Sequence, residues 1–197
     1  MKGLREMNPN GKVVEMRKIY QIKITLKDIK PPIWRRLQVT NDTILEKLHV
    51  IIQVAMGWEN YHLHQFIYGN TYYGQPDSDY DDDVMKSENG VPISQLVSGE
   101  GARFHYEYDF GDSWVHEILV EKILPLEKGT QYPVCIKGKR ACPPEDVGGV
   151  WGYSEFLETI TNPKDPEYDD MLEWAGGDFD PEVFDMEEIN KRLNDYG

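Results

Sequence analysis

The segment that most constrains the fold runs from Tyr106 to His116 and reads YEYDFGDSWVH. Aromatic residues alternate with acidic ones in its first half, which is the two-residue period of a half-buried β-strand. Gly111-Asp112 then supplies a dipeptide typical of tight turns, and an extended run resumes at Trp114. The segment therefore predicts a β-hairpin that places ionisable groups beside large apolar side chains.

A two-residue turn also fixes the pairing of the two strands. In that register Asp109 lies opposite Trp114, and Glu107 lies opposite His116. The turn glycine is expected to take a positive φ. Asp112 is expected to accept a hydrogen bond from the backbone N–H of Trp114. We expect this hairpin to be central in its sheet, with one or both tyrosines of the first strand buried.

Other alternating runs predict further strands. Residues 20–26 and 33–39 have the two-residue period, and Pro31-Pro32 separates them. Residues 62–68 form a third extended run, and 134–136 a short one.

Helical patterns lie between and after these strands. Thr43 and Glu46 have the spacing of a capping box, and the apolar stripe that follows ends at Gly57. Three further helices are predicted towards the C-terminus, at 154–160, from Asp165 to Gly176, and from Asp185 to Leu193.

This order of elements indicates an α+β fold rather than a parallel sheet, because the strands favour hairpins. We expect a single-domain α/β roll over residues 18–197, which is enough chain for a sizeable core. It should have a mixed sheet of about five strands, a helix packed on one face and a helical C-terminal region. Residues 1–17 lack an apolar signal core and are expected to be a loose N-terminal leader.

The chain is acidic, with a formal net charge of −14. Residues 1–40 carry ten basic and three acidic residues, whereas residues 145–197 carry three basic and sixteen acidic ones. An acidic surface repels phosphate backbones, so non-specific nucleic-acid binding is disfavoured. No apolar run has the roughly 20 residues of a membrane span. Cys135 and Cys142 can pair or stay reduced, and a chain of this size needs no disulfide framework. We expect a cytoplasmic protein without membrane contact.

Six short motifs are distributed over nearly the whole chain. They are Pro31–Arg36, Leu48-His49, Met56–Trp58, His62–Phe66, Tyr108–His116 and Cys142–Tyr153. In combination they resemble the plasmid pRiA ORF-three-like family, whose members are also described as insertion-element passenger proteins. The resemblance implies a compact α+β roll carried on plasmids, mobile elements and chromosomes, and it implies no established activity. Many relatives have a third cysteine where this chain has Val147, which argues against a cysteine-based zinc site.

Histidines and carboxylates near the hairpin suggest a metal site as one possibility. His62 and His64 lie two residues apart, so on a strand both side chains face the same way. In the expected register one face of the hairpin would carry His105, Glu107, Asp109 and His116. Such groups are ligands for zinc or manganese. The alternative, which we favour, is that the histidines donate to carboxylates or carbonyls and organise the core. We therefore predict no cofactor, with His62, His64, Asp109 and His116 as the ligand candidates if a metal binds.

Acidic residues have two further interpretations. Asp109 and Asp112 flank Phe-Gly and could act as an acid and base pair, but a role in turn formation is favoured. The aspartates from Asp77 to Asp83, with Glu88, partly match the ligand spacing of a calcium loop. The position that should be glycine is Asp82, so a solvated acidic loop is favoured there.

Two basic segments are candidate binding elements. Arg35 and Arg36 face opposite ways on a strand, so one is expected to pair with a buried acid and the other to reach an anion or a partner. The loop around Arg140, Glu145 and Asp146 is rich in proline and glycine. Loops of that kind are often held rigid for recognition, and a purely structural loop is the alternative.

These observations favour a non-catalytic binding or interaction module, linked by resemblance to plasmids or mobile elements, that recognises a protein or an anionic ligand. One alternative is a metal-dependent hydrolase of phosphate esters, and another is a nucleic-acid accessory protein that uses the basic N-terminal strands. An enzyme is less favoured, because no nucleophile-elbow or metalloprotease motif is present. The candidate binding residues are Arg35, Arg36, His62, His64, Asp109, Asp112, Trp114, His116, Arg140, Glu145 and Asp146.

Overall fold

The structure is a computed structural model, and it describes residues 5–7, 13–15, 17–75 and 85–197. Within these ranges the strands are β1 Arg5–Met7, β2 Val13–Glu15, β3 Lys18–Leu26, β4 Trp34–Thr40, β5 His64–Tyr68, β6 Thr71–Gly74, β7 Met85–Ser87, β8 Arg103–Tyr108, β9 Trp114–Pro125 and β10 Val134–Lys139. The helices are α1 Leu45–Met56, α2 Ile93–Leu96, α3 Gly149–Ile160, α4 Tyr168–Trp174 and α5 Met186–Leu193, with a 3-10 turn at Asn194–Tyr196.

The main sheet has eight strands in the order β10-β4-β3-β9-β8-β5-β6-β7. Its neighbouring strands are antiparallel except for β6 and β7, which are parallel, so the sheet is mixed. The predicted α+β fold with a mixed sheet is confirmed, but the predicted size of about five strands is wrong. The sequence analysis missed β6 and β7, because strands of three or four residues are too short to show alternation.

The N-terminal segment predicted as a loose leader contains a second, two-stranded sheet, in which β1 and β2 pair antiparallel. The run from Asp77 to Asp83, considered above for calcium, lies outside the described residues. In the part of the chain that the structure describes, no helix is both long and apolar enough to cross a membrane.

The hairpin of β8 and β9 lies in the middle of the sheet, and Tyr106 and Tyr108 are completely buried, as predicted. The predicted register is wrong, because Tyr108 pairs with Trp114 and Tyr106 pairs with His116. The connecting loop spans residues 109–113 rather than two residues. This one-residue shift sends the side chains of His105 and Glu107 to the sheet face opposite His116.

The conformation of the loop also differs from the prediction. The positive φ angles belong to Asp109 (56°) and Ser113 (54°), and Gly111 does not take one. Asp109 Oδ1 accepts a hydrogen bond from the Gly111 N–H at 2.9 Å, which is the local bonding that lets aspartate adopt a left-handed conformation. The carboxylate of Asp112 accepts instead from the N–H of Gly148 at 3.1 Å, so its predicted turn bond is wrong.

Helix α1 packs on the buried face of the sheet, as expected, and nine of its twelve residues are buried. The predicted capping box of Thr43 and Glu46 does not form, because the helix begins without a side-chain cap. Glu46 accepts instead from the N–H of Gly90 at 2.7 Å. The predicted end of the helix is confirmed, since Gly57 has a φ of 97°.

The helical C-terminal region is also confirmed, with different boundaries. Helix α3 begins five residues before its predicted start, and α4 begins at Tyr168 rather than near Asp165. Helix α5 has the predicted cap, in which Asp185 Oδ1 accepts from the N–H of Glu188 at 2.9 Å. This helix packs beside the edge strand β10.

Candidate functional site

A cleft of about 530 Å³ opens between α1, the chain that enters β5, and the hairpin loop. Three large apolar side chains on its lining are exposed, Tyr61 by 76%, Leu63 by 66% and Phe110 by 47%. The floor of the cleft is polar and includes His49 and His64. The cleft therefore combines an apolar rim with buried titratable groups, which is the usual composition of a ligand site.

Two imidazole rings stack on the floor of the cleft. His49 and His64 have ring centroids 3.5 Å apart and planes within 2° of parallel. Nε2 of His64 lies 3.0 Å from Oε2 of Glu88, whose side chain is almost completely buried. The predicted site residue His64 therefore bonds a buried carboxylate. This agrees with the interpretation favoured above, in which the histidines donate to carboxylates or carbonyls.

His49 belongs to a chain of hydrogen bonds that reaches the hairpin. Its Nε2 lies 2.8 Å from Oδ1 of Asn60, and its Nδ1 lies 2.8 Å from the hydroxyl of Tyr106. Because an amide oxygen only accepts, Nε2 carries the proton and Nδ1 accepts from the tyrosine hydroxyl. The amide of Gln53 donates to the same hydroxyl at 2.9 Å. Burial, with the neighbouring His64, lowers the pKa of His49 to about 4, so the ring is neutral at pH 7.

One histidine of the cleft lining, His62, meets two aspartates that lie outside the lining, and we call this group the mouth of the cleft. Nε2 of His62 lies 3.1 Å from Oδ1 of Asp146 and 3.7 Å from Oδ2 of Asp109. Their potential ligand atoms all lie within 4.8 Å of one another. The histidine comes from the chain before β5, Asp109 from the hairpin loop and Asp146 from the loop before α3. Asp109 and Asp146 both have positive φ, a strained conformation that often marks functional positions.

Glu145 and Tyr108 tie the three segments of this mouth together. The Tyr108 hydroxyl donates a hydrogen bond to Glu145 Oε1, and it accepts one from the N–H of Tyr61 at 2.9 Å. The other oxygen of Glu145 accepts from the N–H of Glu59 at 2.9 Å. Burial and the bond to Glu145 both raise the pKa of Tyr108 above its usual value, so this hydroxyl stays protonated.

Trp114 and His116, also predicted as site residues, belong to the core. The ring centroids of Trp114 and Trp58 lie 6.1 Å apart, and the His116 ring packs between Trp58 and Tyr106. Neither ring nitrogen of His116 makes a well-aligned hydrogen bond. Burial lowers the pKa of His116 to about 4, because it outweighs the raising effect of the Tyr106 and Trp114 backbone carbonyls, and nearby Arg35 adds a smaller lowering effect. The structure thus brings His62 and Asp109 together, but it leaves His64 and His116 outside their cluster.

The arginines are engaged inside the fold. Arg35 and Arg36 face opposite ways, as predicted, and Arg36 forms a two-pronged ion pair with Glu121 at 2.6 and 2.7 Å. Arg35 is buried, and its Nε donates to the carbonyl of Ala55 at the end of α1 at 2.8 Å. Arg140 is also buried and pairs with a carboxylate at 2.8 Å. None of these three guanidinium groups lines the cleft.

The two cysteines are free and buried, which answers the question of whether they pair. Burial raises the pKa of each thiol to about 11. Sγ of Cys142 packs 3.6 Å from the sulfur of Met56 and 3.5 Å from a guanidinium nitrogen of Arg35. Neither cysteine lies in the cluster at the mouth of the cleft.

Comparison with known proteins identifies the family. Residues 18–188 match the family model of the plasmid pRiA4b ORF-3-like proteins. The chain belongs to this family. It is 37% identical over 179 residues to the uncharacterized protein y4hQ of Sinorhizobium fredii, which covers 90% of this chain and 91% of y4hQ. It also resembles the crystal structure of MM3350 from Methanosarcina mazei Go1, described as a protein of unknown function. That likeness has a TM-score of 0.81 and 42% identity and covers 88% of this chain and 98% of MM3350.

In this plasmid pRiA4b ORF-3-like protein the sequence analysis missed five residues of the cleft. These are His49, Glu88 and the exposed Tyr61, Leu63 and Phe110. One signal was present, because Tyr61 and Leu63 alternate with histidines and so place apolar side chains on the face opposite the imidazoles. Glu88 was considered only as a position of a calcium loop, and no sequence signal indicated its contact with His64 in β5, which depends on the tertiary fold.

Proposed function

We propose that this chain is a non-catalytic binding module that recognises a protein segment carrying an apolar side chain beside a basic group. The observation that carries the proposal is the exposed apolar rim of Tyr61, Leu63 and Phe110 around a cleft with an acidic mouth. Exposed large side chains that cluster around a concave polar floor are typical of interaction sites.

The charges at the mouth favour a basic ligand over the anionic one expected from the sequence. Asp109, Asp112, Glu145 and Asp146 lie in the two loops that meet there. None of the described residues that line the cleft is lysine or arginine. A cationic group on the ligand would therefore meet a complementary potential, whereas a phosphate or carboxylate would be repelled.

The rim side chains are placed so that a ligand can bury them without disturbing the fold. The backbone N–H of Tyr61 bonds the Tyr108 hydroxyl, and the carbonyl of Leu63 accepts from the Asp109 N–H at 2.9 Å. Both side chains are largely exposed, and neither makes a hydrogen bond with another residue that the structure describes. Aromatic and aliphatic anchors on a rigid backbone lose little entropy on binding.

Selection from a random heptapeptide library tests this proposal. In EDTA and at low salt, the wild-type chain should enrich peptides that combine lysine or arginine with an aromatic or aliphatic residue. The double variant Tyr61→Ser/Leu63→Ser should lose most of that enrichment. Trp151→Ser is the matched control, because Trp151 is 84% exposed on α3 and lines a different surface. Enrichment of acidic peptides, or equal enrichment by the rim variant, would contradict the proposal.

One observation favours a second candidate, the metal-dependent hydrolysis of phosphate esters. The cluster of His62, Asp109 and Asp146 has the donor types of a hydrolytic metal centre. The four-residue set expected for this activity is reduced to two, because His64 and His116 lie in other environments. Release of 4-nitrophenolate from 4-nitrophenyl phosphate and from bis(4-nitrophenyl) phosphate, with added Zn²⁺ or Mn²⁺, tests this candidate. Turnover that depends on His62 would support it.

A further inference from the structure

We propose that His62, Asp109 and Asp146 bind one divalent transition-metal cation of the Zn²⁺ or Mn²⁺ type. The set differs from the one the sequence suggested, since Asp146 replaces two histidines. It also stands apart from peptide recognition, because it concerns a small ion at the mouth of the cleft rather than contacts with the rim.

The spacing of the donor atoms fits a metal coordination sphere. Zinc–nitrogen and zinc–oxygen bonds are near 2 Å, so two ligands of a tetrahedral ion lie about 3.4 Å apart. The two separations from Nε2 of His62 are 3.1 Å to Asp146 and 3.7 Å to Asp109. These values lie on either side of the tetrahedral one, and the ligand atoms of the two aspartates lie within 4.8 Å of each other.

Among the residues that the structure describes, no competing hydrogen bond uses the donor atoms. Nε2 of His62 is inaccessible to solvent and makes no hydrogen bond of good geometry, although the carboxylate of Asp146 is close. Asp109 directs Oδ1 to the Gly111 N–H, and this leaves Oδ2 facing the histidine. A buried nitrogen that faces two carboxylate oxygens without a well-aligned bond is explained by an ion between them.

The protein holds the three ligands in place before any ion arrives. The N–H of Asp109 donates to the carbonyl of Leu63 at 2.9 Å, which fixes the hairpin loop against the residue next to His62. Glu145, adjacent to Asp146, accepts from the Tyr108 hydroxyl next to Asp109. Supporting contacts of this kind orient metal ligands and raise affinity.

The donor set also indicates the class of ion. One imidazole and two carboxylates suit zinc or manganese, whereas calcium prefers six or more oxygen ligands. Three protein ligands leave at least one coordination position for water or for a side chain of a bound partner. Asp146 is 68% exposed at the side chain, so the group is open to solvent on that side. A bound cation would neutralise both aspartates and so weaken the attraction for a basic segment.

Titration calorimetry of untagged full-length protein, stripped with EDTA and dialysed against metal-free buffer, tests the site with ZnCl₂ and MnCl₂ as probes. We expect one ion per chain for at least one of the two metals. His62→Ala and Asp146→Asn should each weaken binding at least tenfold. Asp146→Asn changes an exposed side chain, so it keeps the test valid even if His62→Ala disturbs the fold.

His105→Ala is the matched control, because it removes one imidazole from the opposite face of the same sheet. It should bind the ion as the wild type does. Absence of stoichiometric binding by the wild type overturns the site, and so does unchanged binding by both His62→Ala and Asp146→Asn. The result is independent of the peptide selection, which is carried out in EDTA.

Discussion

The backbone carbonyl of Asp112 lies against Gly149 where a side chain would otherwise be, because a Cβ built on residue 149 falls 2.6 Å from that oxygen. The N–H of Gly148 also donates to the carboxylate of Asp112 at 3.1 Å. The hairpin loop and the start of α3 are therefore joined by one close backbone contact and one hydrogen bond to a side chain. This close approach places the loop of Asp109 beside the loop of Asp146.

Gly149→Ala should destabilise the protein strongly. The new methyl group would combine a positive φ of 68° with a contact too close to a backbone carbonyl, which cannot move as a side chain can. We expect a loss of about 3 kcal/mol in the free energy of unfolding, measured in urea. Gly69→Ala is the control, since φ is 58° there and no atom lies within 4 Å of the added Cβ. It should cost about 1 kcal/mol. Equal losses in the two variants would show that the loop contact is unimportant.

Substitutions of Asp112 should separate its hydrogen bond from its charge. Asp112→Asn keeps an oxygen acceptor for the Gly148 N–H, so the melting temperature should change little. Asp112→Ala removes the acceptor and should cost about 1 kcal/mol. Thermal melts of both variants provide the comparison. A large loss in the asparagine variant would mean that the negative charge, and not the bond, is what the fold requires.

Much of this fold was predictable from the sequence because two-residue alternation reports which strand faces are buried. The pattern through Tyr106 and Tyr108 identified the central hairpin and its buried aromatics. The register was missed because the positive φ angles belong to Asp109 and Ser113, while glycine is the residue that usually indicates them. A five-residue loop cannot be told from a two-residue turn when its left-handed residues are not glycine.

The candidate site was only partly predictable for a related reason. His62 was selected for its two-residue spacing from His64, and Asp109 for its expected place on one face of the hairpin. Asp146 was selected for its loop, but nothing in the sequence indicated that this loop docks on the hairpin. That contact depends on the absence of a side chain at Gly149. His116 lies in the core, which was the favoured role for these histidines, and the one-residue change of register separates it from His105 and Glu107.

Stability should fall as the pH falls from 7 to 5, in part through His116. The unfolded ring has a pKa near 6.5, whereas burial and Arg35 lower the folded pKa to about 4. Between these values the unfolded chain binds a proton that the folded chain does not, so acid favours unfolding. For this ring alone the loss at pH 5 is about 2 kcal/mol. Stabilisation from the neutral ring is complete above its unfolded pKa.

The variant His116→Leu should show a flatter pH dependence than the wild type. Leucine has similar bulk and takes no proton, and the imidazole it replaces makes no well-aligned hydrogen bond. Urea unfolding at pH 7 and at pH 5 gives the two free energies for each protein. The difference between the two pH values should be about 2 kcal/mol smaller in the variant. An unchanged difference would mean that His116 is protonated in the folded protein.

Two buried tyrosines should respond oppositely to loss of the hydroxyl group. The Tyr106 hydroxyl bonds both His49 and Gln53 under the cleft, so Tyr106→Phe leaves two buried polar groups without that partner. We expect a loss of about 2 kcal/mol. The hydroxyl of Tyr153 is buried without any hydrogen-bond partner among the described residues. Tyr153→Phe should therefore leave the unfolding free energy unchanged or raise it, because it removes an uncompensated polar group from the core. Urea unfolding of the two variants at pH 7 measures both effects. Similar losses in both would show that the network below the cleft adds nothing beyond ordinary packing.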